Sequence, residues 1–278
     1  MTNRILVNGE VIDTISAYDR GLHYGDGIFE TIAVRAGKPC LWERHWSRLQ
    51  AGYDALNLNG PNESQWLDDI DRLVKPDAEA VIKLMLTRGA SGRGYAPPVE
   101  AGVTRIAMLS ATADYPTIWH QQGVRVRWCE QRLGRNPQLA QIKHLNRLEQ
   151  VMARSEWPAE ITDGNFAEGL MLNSDGYVVE GVSSNVFIVR DQQLITPDLT
   201  AAGVAGVMRA EVLQQAETLG IATHIGHLTP EDFLQASEVF ITNSLIGVWS
   251  VRELGNNHYT VGSVSSRIKE TIKEVCFA

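Results

Sequence analysis

Gly134-Arg135-Asn136-Pro137-Gln138-Leu139-Ala140-Gln141-Ile142-Lys143-His144-Leu145-Asn146-Arg147-Leu148-Glu149-Gln150 is the stretch on which the reading of this 278-residue chain turns. A Gly/Asn/Pro loop runs into a lysine, and a helical pattern follows. Leu145, Leu148 and Met152 recur at i, i+3 and i+7, while Arg147, Glu149, Arg154 and Glu156 fall on other faces. The spacing predicts an amphipathic helix beginning at the lysine, with Asn146 and Arg147 close to the lysine's own face. A lysine is ordinarily a solvated surface charge. Any chemistry assigned to Lys143 must therefore draw support from the rest of the chain.

Composition narrows the classes. The length suffices for one large or two modest domains, and hydrophobic and charged fractions of 44% and 21% are those of a soluble globular protein. No run approaches the ~18 apolar residues of a membrane span. Met1 to Val7 enters a strand pattern directly, without a signal-peptide core. Cys40, Cys129 and Cys276 are an odd, scattered set, which suits reduced thiols better than a disulfide framework. The expectation is a cytoplasmic protein with no membrane partner. A net charge of −8 with no Lys/Arg cluster argues against nucleic acid as a partner. It also means that an anionic ligand would need a locally positive pocket.

Outward from the lysine, the first half of the chain reads as mixed α and β. Ile5-Leu6-Val7, Asn8-Gly9 and Val11-Ile12 predict a hairpin, because both turn positions suit positive φ. Asp19-Arg20-Gly21-Leu22-His23-Tyr24-Gly25-Asp26-Gly27-Ile28-Phe29-Glu30-Thr31 crowds three glycines into seven residues. That implies either a tight bend into a strand over 28–35 or backbone held close to something. A turn at Ala36 to Pro39 leads to a helix from Trp42 to Leu56, with Arg44 and Arg48 one turn apart on one flank. A second helix is predicted over 62–74, and strands over 81–87 and 103–111. Between these strands, Arg88-Gly89-Ala90-Ser91-Gly92-Arg93-Gly94-Tyr95 lacks the Gly-Lys-Ser/Thr ending of a P-loop and reads as a mobile connection.

Residues 112–122 read as an interdomain connection, and a half-buried strand follows over 123–129. Beyond Trp157-Pro158 the pattern is β-rich: 167–173, 177–180, 184–190 and 194–196. Glu180 sits in the otherwise apolar run Gly176-Tyr177-Val178-Val179-Glu180-Gly181-Val182-Ser183-Ser184-Asn185-Val186-Phe187. It is either surface-facing on an edge, or buried and therefore paired. Gly203-Val204-Ala205-Gly206-Val207-Met208-Arg209 opens a helix to about Leu219, and a glycine-bracketed helix start offers free N–H groups to an anion. Residues 237–243 read as the last core strand, ending in Thr242-Asn243-Ser244-Leu245, and 263–276 as an amphipathic helix. His224 and His227 lack companion ligands, so no metal site is expected.

The run from Gly134 to Gln150 resembles the active-site segment of the aminodeoxychorismate lyases, a group within the pyridoxal 5'-phosphate (PLP) enzymes of fold type IV. The likeness runs essentially end to end. It implies an α/β (α+β) fold with a small N-terminal α/β domain (1–113), a linker (114–122) and a larger C-terminal PLP-binding domain (123–278). The larger domain would be barrel-like and flanked by helices, with the cofactor between the two. It implies that Lys143 carries PLP on its amino group. Arg48, within His45-Trp46-Ser47-Arg48-Leu49, would grip the phosphate with its fork of donors. Glu180 would pair with the protonated pyridine nitrogen and keep the ring an electron sink. Gly206, Val207, Met208 and Ser244 would complete the phosphate site. Tyr24, Phe29, Arg88, Arg93, Asn146 and Leu245 would face the substrate, with the arginines as candidates for its carboxylates.

The implied reaction converts 4-amino-4-deoxychorismate to 4-aminobenzoate and pyruvate, a step towards folate, in a homodimer. Branched-chain aminotransferases of this fold carry a different run after the lysine, typically with Gly-Asn-Tyr. Transamination of branched-chain or D-amino acids is thus the second reading, and a non-catalytic small-anion binder on the same scaffold is the third.

Overall fold

Every second residue of 28–34 and of 80–86 is buried, and this period of two builds the first sheet. The computed structural model describes residues 4–98 and 102–276, the side chains of 274–276 excepted; Met1 to Asn3 lie outside it. In chain order the elements are β1 (Arg4–Val7), α1 (Arg20–Tyr24), β2 (Gly27–Arg35), β3 (Lys38–Pro39), α2 (Trp42–Leu56), α3 (Glu63–Leu73), β4 (Ala80–Thr87) and β5 (Thr104–Ser110). The strands form an antiparallel sheet in the order β1-β5-β4-β2-β3. Ile28, Ile32 and Val34 of β2 and Ile82, Leu84 and Leu86 of β4 share one core with Leu49 and Tyr53 of α2 and Trp66, Ile70 and Leu73 of α3. Asn62 and Gln65 form a reciprocal capping box that starts α3.

Asn8 and Gly9 adopt the expected positive φ angles of 51° and 82°, and Val7 and Glu10 exchange backbone hydrogen bonds across them. No second strand follows. β1 pairs with β5 over Arg4 to Val7 instead, and Val11, Ile12, Ile15 and Tyr18 stay exposed.

The remaining elements are α4 (Thr117–Gln122), β6 (Val124–Leu133), α5 (Leu148–Arg154), β7 (Glu168–Asn173), β8 (Val178–Gly181), β9 (Asn185–Arg190), β10 (Gln193–Pro197), α6 (Val207–Thr218), β11 (Thr223–Gly226), α7 (Pro230–Leu234), β12 (Glu238–Asn243), β13 (Gly247–Leu254), β14 (Asn257–His258) and α8 (Ser263–Cys276). Their sheet runs β11-β10-β9-β12-β13-β6-β7-β8, with β14 beside β13. The Val178 N–H of β8 donates to the Leu228 carbonyl just past β11, so the two ends of the sheet curl towards each other like a partial barrel. Its core holds Val126, Leu170, Val186, Ile188, Phe233, Val239, Ile241 and Trp249.

Three expectations change here. The stretch 112–122 contains α4, whose Trp119 is buried 5.3 Å from the ring of Trp249. β12 is not the last core strand: β13 lies between β12 and β6 and is almost wholly buried. The pattern hides it because Arg252 and Glu253 occupy its end, where Glu253 accepts Arg125 at 2.7 Å. Finally, the helix predicted from Lys143 begins only at Leu148. Its apolar stripe faces outward, with Leu148, Val151 and Met152 70%, 62% and 52% exposed.

The chain divides into two compact units, Met1–Ala113 with Ile142–Asn146, and Asp114–Gln141 with Arg147–Ala278. The five residues around Lys143 belong with the first because β2 needs a partner. β3 covers only the far end of that strand, at Val34 and Arg35. Along the near end the Phe29 N–H donates to the Lys143 carbonyl and the Leu145 N–H to the Gly27 carbonyl, each at 2.9 Å. Ile28 and His144 form an antiparallel bridge. Lys143 is thus extended chain laid on a strand edge, not the first turn of a helix.

Candidate active site

Backbone pairing with β2 fixes where Lys143 stands, and its side chain follows. Its ammonium lies 4.4 Å from the centroid of the Phe29 ring, within cation–π range. Lys83 reaches the same ring at 5.3 Å. It stands opposite Thr31 in the β2–β4 register, diagonal to Phe29. Two cations therefore share one aromatic ring, and the sequence pattern marks only one of them.

Close packing explains the glycines of the neighbouring segment. Gly25 ends α1 in the left-handed conformation at φ 62°. A Cβ on Gly27 would meet the Leu86 carbonyl oxygen at 2.2 Å. Asn146 donates to the Gly25 carbonyl at 3.1 Å, so its amide braces this turn. Tyr24 is half-buried and its ring contacts that of Tyr95, centroids 5.4 Å apart.

On α2, Arg48 forms a bidentate pair with Glu30: Nε donates to Oε1 at 2.7 Å and Nη2 to Oε2 at 2.6 Å. The His45 Nδ1 approaches the same Oε2 at 2.6 Å, and its Nε2 is buried without a hydrogen-bond partner. Burial alone would push the Glu30 carboxyl up, but the Arg48 guanidinium and His45 more than reverse this and hold it at about 2. Burial pushes His45 below its usual value, and the charge on Glu30 offsets this only in part. The imidazole is accordingly neutral at pH 7, with Nδ1–H donating to Glu30.

The two loop arginines differ. The Arg88 Nε donates to Asp26, its Nη1 to the Asn57 carbonyl, and its Nη2 to Asp26 and the Leu56 carbonyl. Burial tends to raise the Asp26 carboxyl, but Arg88 and Arg20 together bring it below its ordinary value. These bonds brace Arg88 within the first unit. Arg93 is exposed.

In the second unit Glu180 is 4% exposed on β8. Its Oε2 accepts the Val204 N–H at 2.8 Å and the Asn185 amide at 3.5 Å. Asn185 also donates to the Val204 carbonyl at 2.9 Å. A Cβ on Gly206 would sit 1.9 Å from the Asn185 Oδ1, so only glycine lets the loop close on this pair. Gly206 then N-caps α6 without a side-chain cap, and no acidic residue stands in the first turn. The N–H groups of Val207 and Met208 therefore face outward from an uncapped, positive helix end. Arg209 turns away, its guanidinium donating to Thr196 and the Pro197 carbonyl. After β12 the Asn243 Oδ1 takes the Leu245 and Ile246 N–H groups, which holds Ser244 at the tip of the turn.

Each unit offers groups of the kind PLP requires: the first a strand-anchored lysine for an aldehyde and a guanidinium for a phosphate, the second a buried carboxylate for a pyridinium and a helix end without a side-chain cap for an anion. Among the described residues no group of three His, Cys, Asp or Glu side chains could hold a metal. No helix there is long and apolar enough to cross a membrane.

Residues 27–254 match the family model of amino-transferase class IV, and the chain belongs to that family. It is 39% identical to the aminodeoxychorismate lyase of Vibrio harveyi over 87% of this chain and 88% of the relative. The crystal structure of 4-amino-4-deoxychorismate lyase from Pseudomonas aeruginosa superposes with a TM-score of 0.89 at 43% identity, covering 97% of this chain and 98% of the other. A hypothetical aminotransferase from Mycobacterium tuberculosis, solved in its PLP-bound form, gives a TM-score of 0.81 at 20% identity over 99% of each chain, which shows the shared fold alone.

Proposed function

We propose that this chain is a PLP-dependent lyase that converts 4-amino-4-deoxychorismate to 4-aminobenzoate and pyruvate, serving folate synthesis in the cytoplasm. The observation that carries the reading is the setting of Lys143, which is locked by backbone bonds to the edge of β2 with its ammonium on the Phe29 ring. The likeness to two lyases at about 40% identity supports lyase over transaminase chemistry.

Bound PLP supplies an electron sink conjugated to the substrate nitrogen; the chain does the rest. Lys143 would hold the cofactor through Nζ and, as a free amine, would take the ring proton from the substrate carbon that bears the amino nitrogen. It subsequently returns a proton to the departing three-carbon fragment. Glu180, already oriented by Val204 and Asn185, keeps the pyridine nitrogen protonated. Arg48, Ser244 and the first-turn N–H groups of Val207 and Met208 after Gly206 hold the phosphate. Tyr24, Phe29 and Leu245 shape the substrate pocket. The substrate carries two carboxylates, for which Arg93 and Lys83 are the assigned cations. Arg88 and Asn146 are given supporting roles in place of direct contact.

The active species is proposed to be a homodimer. Val11, Ile12, Ile15, Tyr18 and Leu22 line an exposed run in the first unit, and Leu148, Val151 and Met152 an exposed helix face in the second. These are the surfaces that a second copy would cover.

One experiment separates the readings. The purified protein should be yellow, bleach with borohydride while fixing the cofactor to Lys143, and release pyruvate from aminodeoxychorismate. Exchange of amino groups between an amino acid and a 2-oxo acid, without pyruvate release, would favour a transaminase. A colourless protein indifferent to borohydride would leave a simple anion binder.

A further inference from the structure

The β4–β5 loop holds Gly89, Gly92 and Gly94 within six residues, a composition that ordinarily leaves a chain loose. One side chain ties it down. Arg20, the first residue of α1, is 4% exposed. Its Nη1 donates to the carbonyls of Gly94 at 3.0 Å and Ala96 at 3.4 Å and to the Ser91 Oγ at 3.4 Å, and its Nη2 donates to the Tyr95 carbonyl at 2.9 Å. Three successive carbonyls are thus held by one fork.

The fork is itself fixed. The Arg20 Nε donates to Asp26 Oδ2 at 2.8 Å, an oxygen it shares with Arg88. Its backbone N–H bonds the Gly89 carbonyl at the base of the loop. Its guanidinium lies 4.9 Å from the centroid of the Tyr24 ring, which in turn meets Tyr95. A lysine offers a single point charge and could not span this set while keeping Asp26.

We propose that Arg20 is a positioning residue for substrate recognition: by clamping Gly94, Tyr95 and Ala96 it fixes Arg93, one residue upstream, where a substrate carboxylate is gripped. Arg20 itself touches neither substrate nor cofactor. The inference rests on the assignment of Arg93 as a carboxylate ligand. Its physical content is entropic. A loop already ordered in the free enzyme need not be ordered by the substrate, so the clamp acts on binding and leaves the chemical step alone.

The test is a double-mutant cycle on the holoenzyme with wild type, Arg20→Lys, Arg93→Ala and the double variant, reading KM, kcat and the cofactor absorbance. The expected result is a KM raised about tenfold or more in each single variant, with kcat within about twofold and absorbance unchanged. In the double variant the KM should be no higher than in Arg93→Ala. Independent, additive effects would mark Arg20 as merely structural and overturn the proposal, as would a normal KM in Arg20→Lys. A normal KM in Arg93→Ala would instead remove the Arg93 assignment and the proposal with it, a distinct outcome. A second measurement needs no variant. Trypsin should spare the exposed Arg93–Gly94 bond of the native wild-type enzyme, and rapid cleavage there would show that the loop is not clamped.

Discussion

Glu30 is a carboxylate on the core side of a strand, and two cationic residue types one turn apart on α2 converge on it. Folded, it stays ionised down to about pH 2, whereas unfolded it takes a proton near its ordinary 4.5. Its contribution to stability is therefore whole above about pH 4.5 and is lost as the pH falls towards 2. His45 acts in the same direction earlier. Folding holds it neutral, so protonation of the unfolded chain below its ordinary 6.5 favours unfolding. Urea melts across this range should show stability falling on acidification in two stages. Glu30→Gln should cost about 3 kcal/mol at pH 7 and flatten the lower stage, and an unchanged acid limb in that variant would refute the account. The sequence carried a signal for Glu30, the same one that singles out Glu180: an acid in an apolar strand demands a partner. The glycines around Glu30 drew the reading to the turn instead. For Glu180 the buried alternative is the one observed. If it holds the pyridinium proton, Glu180→Gln should retain PLP and lower kcat about a hundred- to a thousandfold; near-normal turnover would exclude that role.

Elements were legible where a period ran uninterrupted. α2 and α8 have the predicted ends because their apolar residues keep helical spacing throughout. The segment around Lys143 misled because its helical spacing belongs partly to α5 and partly to a strand-edge bridge, which local periodicity cannot distinguish. Only the unpaired near end of β2, a tertiary feature, decides that 143–145 are extended. β13 was obscured in a similar way, since its terminal charges are paired across strands with residues distant in sequence. The start of α6 shows how an element can itself be the functional group. Gly206 leaves the helix uncapped and allows the loop to close over Asn185. Gly206→Ala should displace that loop, and PLP affinity should fall about tenfold or more while affinity for pyridoxal, which lacks the phosphate, changes much less. Spectral titration with both compounds measures this. An equal loss for the two would show that the helix end is not the phosphate seat.

For the whole molecule, the exposed apolar residues bear on how many chains act together. Val11 is 80% exposed, Tyr18 70% and Leu22 65%, in a segment where β1 already has its partner and no second hairpin strand forms. Residues 11–18 are exposed throughout, so intrachain packing does not explain their apolar character. On α5 the same holds: the helical period is real, but its apolar side faces away from the unit's own core. An amphipathic pattern read from sequence identifies a face to be covered without saying which chain covers it. If a second copy covers both faces, sedimentation should give a dimer at micromolar concentration. Ile15→Asp with Met152→Asp should shift it towards monomer, since each charge would have to be desolvated in the interface. A wild-type protein that sediments as a monomer at every concentration, with full activity, would show that these surfaces serve no self-association.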